Sequence, residues 1–388
     1  MKTLRKAATV LLLGCVLMSL GAAGAYADSA ADDALTIAVV DQGTQIKTLA
    51  KKLDANEDYQ LEVKSFSTCD ELLAALERGE KIDLVLVRDR PLPRAELEEY
   101  CVELSGYLKD EDTLGDLGLI PNLTGVDAGR KCYAVPLDFQ IYTWYGSGGL
   151  PAPITFAEAE EAAGGIDDII QTNAWGRDEL ISWVSPFYIS AYIDFAAGES
   201  KLAESGFENV LEIARNLPEE APAESGEQDA LLKFIQLDSK LSMIATAKSF
   251  CGEDYQFVGF PNNSQGGGFF SVCSEIGITK TCVDPDAACE FIENLLDEYY
   301  KLPNTHLPAV EDEFEDELEA CISYTYIEKA DAEKILKLVE DCTAIEVNDG
   351  MIDWIIDKNA DGFFSGAVSA AEAVQAMDSE IEAYLNEK

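Results

Sequence analysis

The stretch that decides the fold of this chain is KCYAVPLDFQIYTWYG, residues 131–146. Its two extended segments meet at Pro136, which has no N–H to give to a sheet, so we expect the chain to leave one sheet there and enter another. Beyond the proline, alternate side chains point to opposite faces of a strand. One face is apolar and carries Leu137, Phe139 and Ile141. The other face carries Asp138, Gln140, Tyr142 and Trp144.

This second face combines hydrogen-bonding groups with flat aromatic rings. Such a mixture suits a ligand that has hydroxyl groups at its edges and C–H groups on its faces. An ordinary half-buried strand with a polar face toward water would show the same alternation. The four residues are therefore candidates for ligand binding, with simple strand packing as the alternative.

A second short strand also stops at a proline, in the segment YQFVGFPNN, residues 255–263. More than a hundred residues separate it from the first strand–proline junction. Two such junctions on either side of a large middle block indicate a chain that crosses from one lobe to another and later returns.

The C-terminal part of the chain adds a series of segments in a definite order. They are ADAEKILKLV (330–339), DGMIDWII (349–356), GFFSGAVSAAEA (362–373) and the closing YLNEK (384–388). Together with the two junctions, this order and spacing resembles the extracellular solute-binding proteins of bacterial ABC transporters, in the carbohydrate-type family 1. The resemblance covers nearly the whole chain beyond its N-terminal segment and is loose between residues 150 and 240.

The resemblance implies an α/β, two-lobe, periplasmic-binding-protein-like fold of type II. Each lobe would be a mainly parallel sheet flanked by helices, with hinge strands between the lobes. The expected domains are a signal peptide at residues 1–27, a first lobe at 28–137 plus 262–345, and a second lobe at 138–261 plus 346–388.

The resemblance also implies a function. The chain would capture a small solute, with a carbohydrate favoured, and deliver it to the permease subunits of an ABC importer. It would act as a monomer, without a cofactor and without catalysing a reaction. The alternatives are a secreted carbohydrate-active enzyme that uses a pair of cleft carboxylates, a polyamine-type binder, and a surface protein that keeps the fold without transport.

Further candidate binding residues follow from the position of strand ends, because ligands of open α/β sheets bind beyond the carboxyl ends of the strands. Residues 35–87 are expected to alternate between strands and helices. Asp41 and Gln42 follow the first of these strands, and Arg88 and Asp89 follow the third, so these four residues are candidates for ligand binding. Trp175 and Trp354 are candidates for stacking on a ligand, with burial in a helical core as an equally supported interpretation.

The N-terminal residues are typical of an export signal. Lys2, Arg5 and Lys6 precede an apolar run, and Ala25-Tyr26-Ala27 is a small-x-small cleavage site. An alternative is lipid anchoring at Cys15, but the apolar run continues past that cysteine. We therefore expect an exported protein in the periplasm, at the cell surface or outside the cell.

The charge of the chain excludes some partners. Its formal net charge is −45, and cleavage of the signal would make it more negative. Nucleic acids and anionic membranes require patches of lysine and arginine, so neither is expected as a partner. The negative charge is explained by an acidic surface that keeps an exported protein soluble. The alternative explanation is that the protein binds a cationic ligand.

Few residues in the sequence indicate metal or nucleophilic chemistry. Ten cysteines are present, one of them in the signal, and none has the C-x-x-C spacing of a zinc or redox site. We expect the remaining nine to be reduced and mostly buried. The one histidine, His306, lies in a loop-like segment and is predicted to be a surface residue. No metal site is expected.

Local patterns give several predictions of secondary structure. Helices are expected to start at Asp284-Pro285 and at Ser369, where Glu372 completes a capping box. Residues 241–246 are expected to form a strand. Residues 357–362 match the opening of a calcium-binding EF-hand loop, but Val368 stands where a bidentate acid is needed, so a capped turn is predicted.

Overall fold

A computed structural model describes residues 34–40, 49, 61–88, 92–127, 129–170, 175–220, 230–239, 241–263, 267–302, 306–347 and 349–387. The predicted signal peptide with Cys15, and the predicted site residues Asp41, Gln42 and Asp89, lie outside these residues. No helix in the described ranges has the length and apolar character needed to cross a membrane.

The strands of the described residues are numbered in chain order. They are β1 Leu35–Val40, β2 Leu61–Phe66, β3 Leu84–Arg88, β4 Val135–Gly146, β5 Ile193–Asp194, β6 Glu199–Ser200, β7 Lys233–Leu237, β8 Gln256–Phe257, β9 Phe269–Ile278, β10 Leu307–Pro308 and β11 Ala344–Ile345.

The α-helices of the described residues are numbered in the same way. They are α1 Cys69–Glu77, α2 Arg94–Tyr100, α3 Pro121–Thr124, α4 Phe156–Ala163, α5 Arg177–Tyr192, α6 Phe207–Arg215, α7 Met243–Cys251, α8 Pro285–Tyr299, α9 Glu311–Ser323, α10 Lys329–Asp341, α11 Gly350–Phe364 and α12 Ala370–Glu387.

Side-chain caps start several of these helices. The Asp284 carboxylate accepts a hydrogen bond from the Ala287 N–H, and Pro285 occupies the first turn of α8, as predicted. Ser369 and Glu372 form the predicted reciprocal bonds before α12, with the Ser369 N–H donating to the glutamate at 2.8 Å.

Two long strands, β4 and β9, form the centre of the main sheet. They pair antiparallel along most of β4, and the strand order through them is β10-β4-β9-β3-β1-β2. Beside them, β1 runs parallel to both β2 and β3, and β11 runs parallel to β9. The C-terminal half of β4 also pairs with β7 and β8.

The prediction that the chain leaves its sheet at Pro136 is wrong. Pro136 lies inside β4 and is paired with Glu275 of β9, and the ladder continues beyond it. The register shifts on both sides of Asp138, so local irregularity accommodates the missing N–H without ending the strand.

The predicted alternation of side chains along β4 is confirmed. Phe139 and Ile141 belong to a core formed with α7, α9 and α10. Trp144, with Tyr142 packed at its margin, belongs to a different core, formed with α5, α6, α11 and α12. A third core, beneath β1 and β3, is closed by α8 and includes Leu137. One strand thus contributes to cores on both of its faces.

Two local predictions are wrong. Residues 241–246 do not form a strand, because Met243–Cys251 is a helix that buries Ile244 and Ala247 three residues apart on one face. Residues 357–362 do not form a turn either, because they lie inside α11. That helix begins at the Asp349 cap and continues to Phe364.

Candidate functional site

A cavity of about 660 Å³ lies beside the Pro136–Glu275 pair of the antiparallel strands β4 and β9. One wall consists of residues around the start of α2, of residues 123–124, and of residues 129–134 and 136, which lead into β4. The opposite wall consists of the end of α5 and the β5–β6 hairpin, with residues 345–347 closing the base. This volume is typical of pockets that bind small molecules.

Glu275 is a buried carboxylate that lines the cavity. The backbone N–H of Leu92 donates to its Oε1 at 2.9 Å. Burial raises the pKa of Glu275 from 4.5 to about 7, although the Leu92 bond opposes that change. Near neutral pH this carboxyl group is therefore divided between its protonated and ionised forms, and it acts as donor or acceptor accordingly.

The wall next to α2 carries three cationic side chains, Arg94, Arg130 and Lys131. The Arg130 guanidinium donates to the carbonyl oxygen of Thr343 at 2.9 Å, while its buried Nε has no hydrogen-bond partner among the described residues. Burial lowers the pKa of Arg130, and the charge of Arg94 lowers it further. This wall offers guanidinium donors to a ligand.

The opposite wall supplies aromatic rings, Tyr192 and Phe195. The guanidinium carbon of Arg94 lies 5.5 Å from the centroid of the Phe195 ring, within the range of a cation–π contact. Tyr192 is buried, and its hydroxyl donates to Asn262 Oδ1 at 2.8 Å. The Arg94–Phe195 pair therefore bridges the two walls at the cavity.

Two neighbouring residues of the cavity stay uncharged near neutral pH. Burial raises the pKa of the Cys132 thiol to about 12, and its Sγ lies 3.0 Å from the Ala134 carbonyl oxygen. Burial and the nearby Glu98 raise the pKa of Tyr133 to about 12. Because the thiolate is the nucleophilic form of cysteine, Cys132 is not activated for attack. The arrangement is suited to binding through hydrogen bonds and ring contacts.

The predicted site residues that the structure describes lie elsewhere. Arg88 ends β3, where it is paired with Ser274 of β9. Asp138 is fully buried in β4. Gln140 accepts hydrogen bonds from Gln236 at 2.8 Å and from the Tyr142 hydroxyl at 3.1 Å. None of these residues lines the cavity described above.

The predicted aromatic residues form a separate cluster. Tyr142 stacks on Phe269 with ring centroids 5.1 Å apart. Trp144 is 1% exposed and meets Trp175 edge-on at 5.7 Å. Trp354 is 55% exposed on α11 and also does not reach the cavity. The structure thus brings Tyr142, Trp144 and Trp175 together, while their role in ligand binding stays a prediction.

His306 is not the surface residue that was predicted. Its side chain is 12% exposed, and its Nδ1 lies 3.5 Å from Asp138 Oδ2. The pairing of Pro308 with Asp138 places β10 beside β4, which brings the preceding residues close to that carboxylate. The prediction failed because this contact joins residues far apart in the sequence.

The cavity residues were missed although the sequence held signals for them. Glu275 is the one charged residue in the strand FFSVCSEIGI, and a lone charge in an apolar strand indicates a special environment. Lys131, Cys132 and Tyr133 belong to the deciding stretch but precede its proline. They lie outside the alternating segment beyond Pro136, from which the binding residues of this strand were predicted.

Comparisons by sequence and by structure gave different results. No protein-family model matches the sequence, and no curated protein matches it. Among solved structures, the sugar-binding protein MalE from Xanthomonas citri is 14% identical with a TM-score of 0.61, covering 91% of this chain and 98% of that chain. The cyclic alpha-maltosyl-1,6-maltose binding protein from Arthrobacter globiformis is 14% identical with a TM-score of 0.57, covering 91% and 99%.

A third match is an ABC transporter solute-binding protein from Thermotoga lettingae, whose structure contains alpha-D-tagatose. It is 14% identical with a TM-score of 0.54, covering 91% of this chain and 100% of that chain. At this level of identity the matches establish the fold. The predicted two-lobe α/β fold of the solute-binding proteins is confirmed.

Proposed function

We propose that this chain is the exported solute-binding component of an ABC importer, and that it captures a small carbohydrate in the cavity beside the Pro136–Glu275 pair. The observation that carries the proposal is the position of that cavity. The predicted first lobe contributes Arg94, Arg130 and Glu275 to the lining, and the predicted second lobe contributes Tyr192, Phe195 and Glu346. A solute bound there would contact both lobes.

The chemistry of the walls supports a carbohydrate. Arg94 and Arg130 offer donors to hydroxyl and ring oxygens, and Glu275 and Glu346 offer carboxyl groups to hydroxyl hydrogens. Phe195 presents an aromatic face of the kind on which the C–H side of a sugar ring packs. The structurally similar proteins from Xanthomonas citri and Thermotoga lettingae are a sugar-binding protein and a tagatose complex, which favours the same class.

We assign ligand contact to the cavity residues and assign Gln140, Tyr142 and Trp144 to packing within the sheet and its cores. Closure of the two lobes over the solute would present a bound form to the permease.

Calorimetry of the purified protein tests this proposal against a panel of mono- and oligosaccharides, amino acids and polyamines. We expect reversible binding of one sugar class with a dissociation constant near micromolar, about −8 kcal/mol. The best ligand should be recovered unchanged after prolonged incubation. Chemical alteration of that ligand would favour the enzyme, a polyamine as the best ligand would overturn the sugar assignment, and no binding in the panel would favour a non-transport role.

A further inference from the structure

A carboxylate, a thiol and an imidazole converge outside the proposed solute cavity. One ligand atom each of Asp138, Cys273 and His306 lies within 4.8 Å of the other two. Asp138 is fully buried, Cys273 is buried, and His306 is largely buried. None of the three lines the solute cavity.

Three adjacent strands bring these groups together. Asp138 of β4 is paired with Ser274 of β9 on one side and with Pro308 of β10 on the other. Cys273 directly precedes Ser274 in β9, and His306 directly precedes β10. The register shifts on both sides of Asp138 mark a bulge, a feature that re-aims a side chain.

The distances approach those of a tetrahedral metal site. Zinc binds cysteine sulfur at about 2.3 Å and imidazole nitrogen or carboxylate oxygen at about 2.0–2.2 Å, so its ligand atoms lie roughly 3.4–3.7 Å apart. The His306 Nδ1 to Asp138 Oδ2 separation of 3.5 Å already has this value. The Cys273 sulfur lies within 4.8 Å of one ligand atom of each of the other two residues, so an approach of at most about 1 Å would complete the site.

A further residue holds the carboxylate in place. The Tyr299 hydroxyl donates to Asp138 Oδ2 at 2.5 Å and lies 3.1 Å from Ser274 Oγ. Burial and the Asp138 charge raise the pKa of Tyr299 far above its usual value, so the phenol stays a neutral donor. Arg88, paired with Ser274 across β3 and β9, contributes positive charge nearby and opposes that rise. Hydrogen bonds of this kind orient metal ligands in many sites.

We propose that Asp138, Cys273 and His306 form a binding site for a divalent cation of the zinc class. Thiolate and imidazole ligands select borderline-soft metals over calcium and magnesium, which prefer oxygen. On binding, the Cys273 thiol loses its proton to the solvent and the sulfur joins the metal, with a water molecule completing four ligands. Because the ligands lie in β4, in β9 and directly before β10, the ion would hold three adjacent strands together.

The test uses the purified protein without a polyhistidine tag, reduced by a reagent that has no thiol, after treatment with a chelator. Titration with zinc chloride should give one bound ion per chain. Titration with cobalt chloride should give the near-ultraviolet absorption of a thiolate–cobalt bond together with intense visible bands of a four-coordinate ion. Failure to bind one ion per chain, or a cobalt spectrum without thiolate absorption, would overturn the proposal.

Single variants locate the site. Cys273→Ser should abolish the thiolate absorption, and His306→Gln should weaken zinc binding at least about 100-fold, because even the loss of an outer hydrogen-bond partner costs about 10–100-fold. Tyr299→Phe should weaken it by about tenfold. Cys69→Ser, which removes a thiol at the start of α1, is the matched control and should leave the spectrum unchanged.

The same variants also give the outcomes that would contradict the metal site. A thiolate band that survives in Cys273→Ser, or zinc affinity that His306→Gln leaves unchanged, would place the metal elsewhere and overturn the proposal. Far-ultraviolet circular dichroism identifies a variant that fails to fold. The cobalt spectrum of the unmodified protein and the Tyr299→Phe variant then decide the outcome.

Discussion

The two ends of β4 differ in what covers them, although the same strand geometry places their side chains. Near its start, Pro136 borders an open cavity whose lining includes charged groups such as Glu275 and Arg94. Near its end, Trp144 and Tyr142 are packed among other aromatic rings and the helices of one core. The comparison teaches that alternation determines which residues share a face, whereas the elements packed on that face determine whether it meets a ligand.

The largest effect is expected from Trp144→Ala, at the aromatic end of the strand. Removal of this buried ring should lower the free energy of unfolding by about 3–5 kcal/mol. Solute affinity of the folded protein should change little, since Trp144 does not line the cavity. Urea denaturation and calorimetry of the variant measure both quantities.

The exposed Trp354 is the matched control for that variant. Trp354→Ala should alter stability by no more than about 0.5 kcal/mol. The comparison between the two ends of β4 fails if Trp144→Ala weakens solute binding strongly while the urea midpoint stays unchanged. That result would place the solute-binding site at Trp144 and its aromatic neighbours.

An intermediate effect is expected from Glu275 and depends on pH. Its pKa is raised from 4.5 to about 7 in the folded protein, so between these values the folded state holds a proton that the unfolded state has released. Stability should therefore fall as pH rises through this window, by about 3 kcal/mol, and level off above it. Glu275→Gln removes this contribution.

Urea midpoints of the original protein and of Glu275→Gln, measured from pH 4 to 8, test the prediction. The variant should gain stability relative to the original protein as pH rises. Other buried carboxyls, such as Asp353 with its pKa raised to about 6, titrate in both proteins and cancel in the difference. If the urea midpoints of the two proteins change in parallel with pH, the ionisation of Glu275 does not lower the stability of the fold.

The smallest effect is expected from Arg94→Ala at the cavity wall. Loss of its charged donors and of its contact with Phe195 should weaken solute binding about 10–100-fold, or roughly 1.4–2.7 kcal/mol, with little change in stability. Arg78→Ala is the control, because Arg78 is an exposed arginine that pairs with Glu80 at 2.7 Å. Equal affinities of the two variants would remove Arg94 from the site.

The sequence predicted those features that depend on local geometry. The alternation of Phe139 and Trp144 onto opposite faces follows from strand pleating, and the start of α8 follows from the chemistry of Asp284 and Pro285. The helix at Met243–Cys251 was mistaken for a strand because a short apolar run is compatible with both.

The candidate sites were harder to predict because they depend on contacts between distant segments. The approach of Arg94 to Phe195 joins two walls that no local pattern relates. The convergence of Asp138, Cys273 and His306 likewise requires the pairing of three strands from different parts of the chain. Spacing rules for metal sites act within one segment and could not reveal it.

The irregular pairing around Asp138 has a mechanical consequence. A bulge bends its strand and increases the local twist of the sheet. The irregular pairing lies next to the Pro136–Glu275 pair at the cavity. Bending of β4 and β9 at this point would change the distance between the cavity walls. The flexibility of these two strands would therefore determine how widely the cavity opens.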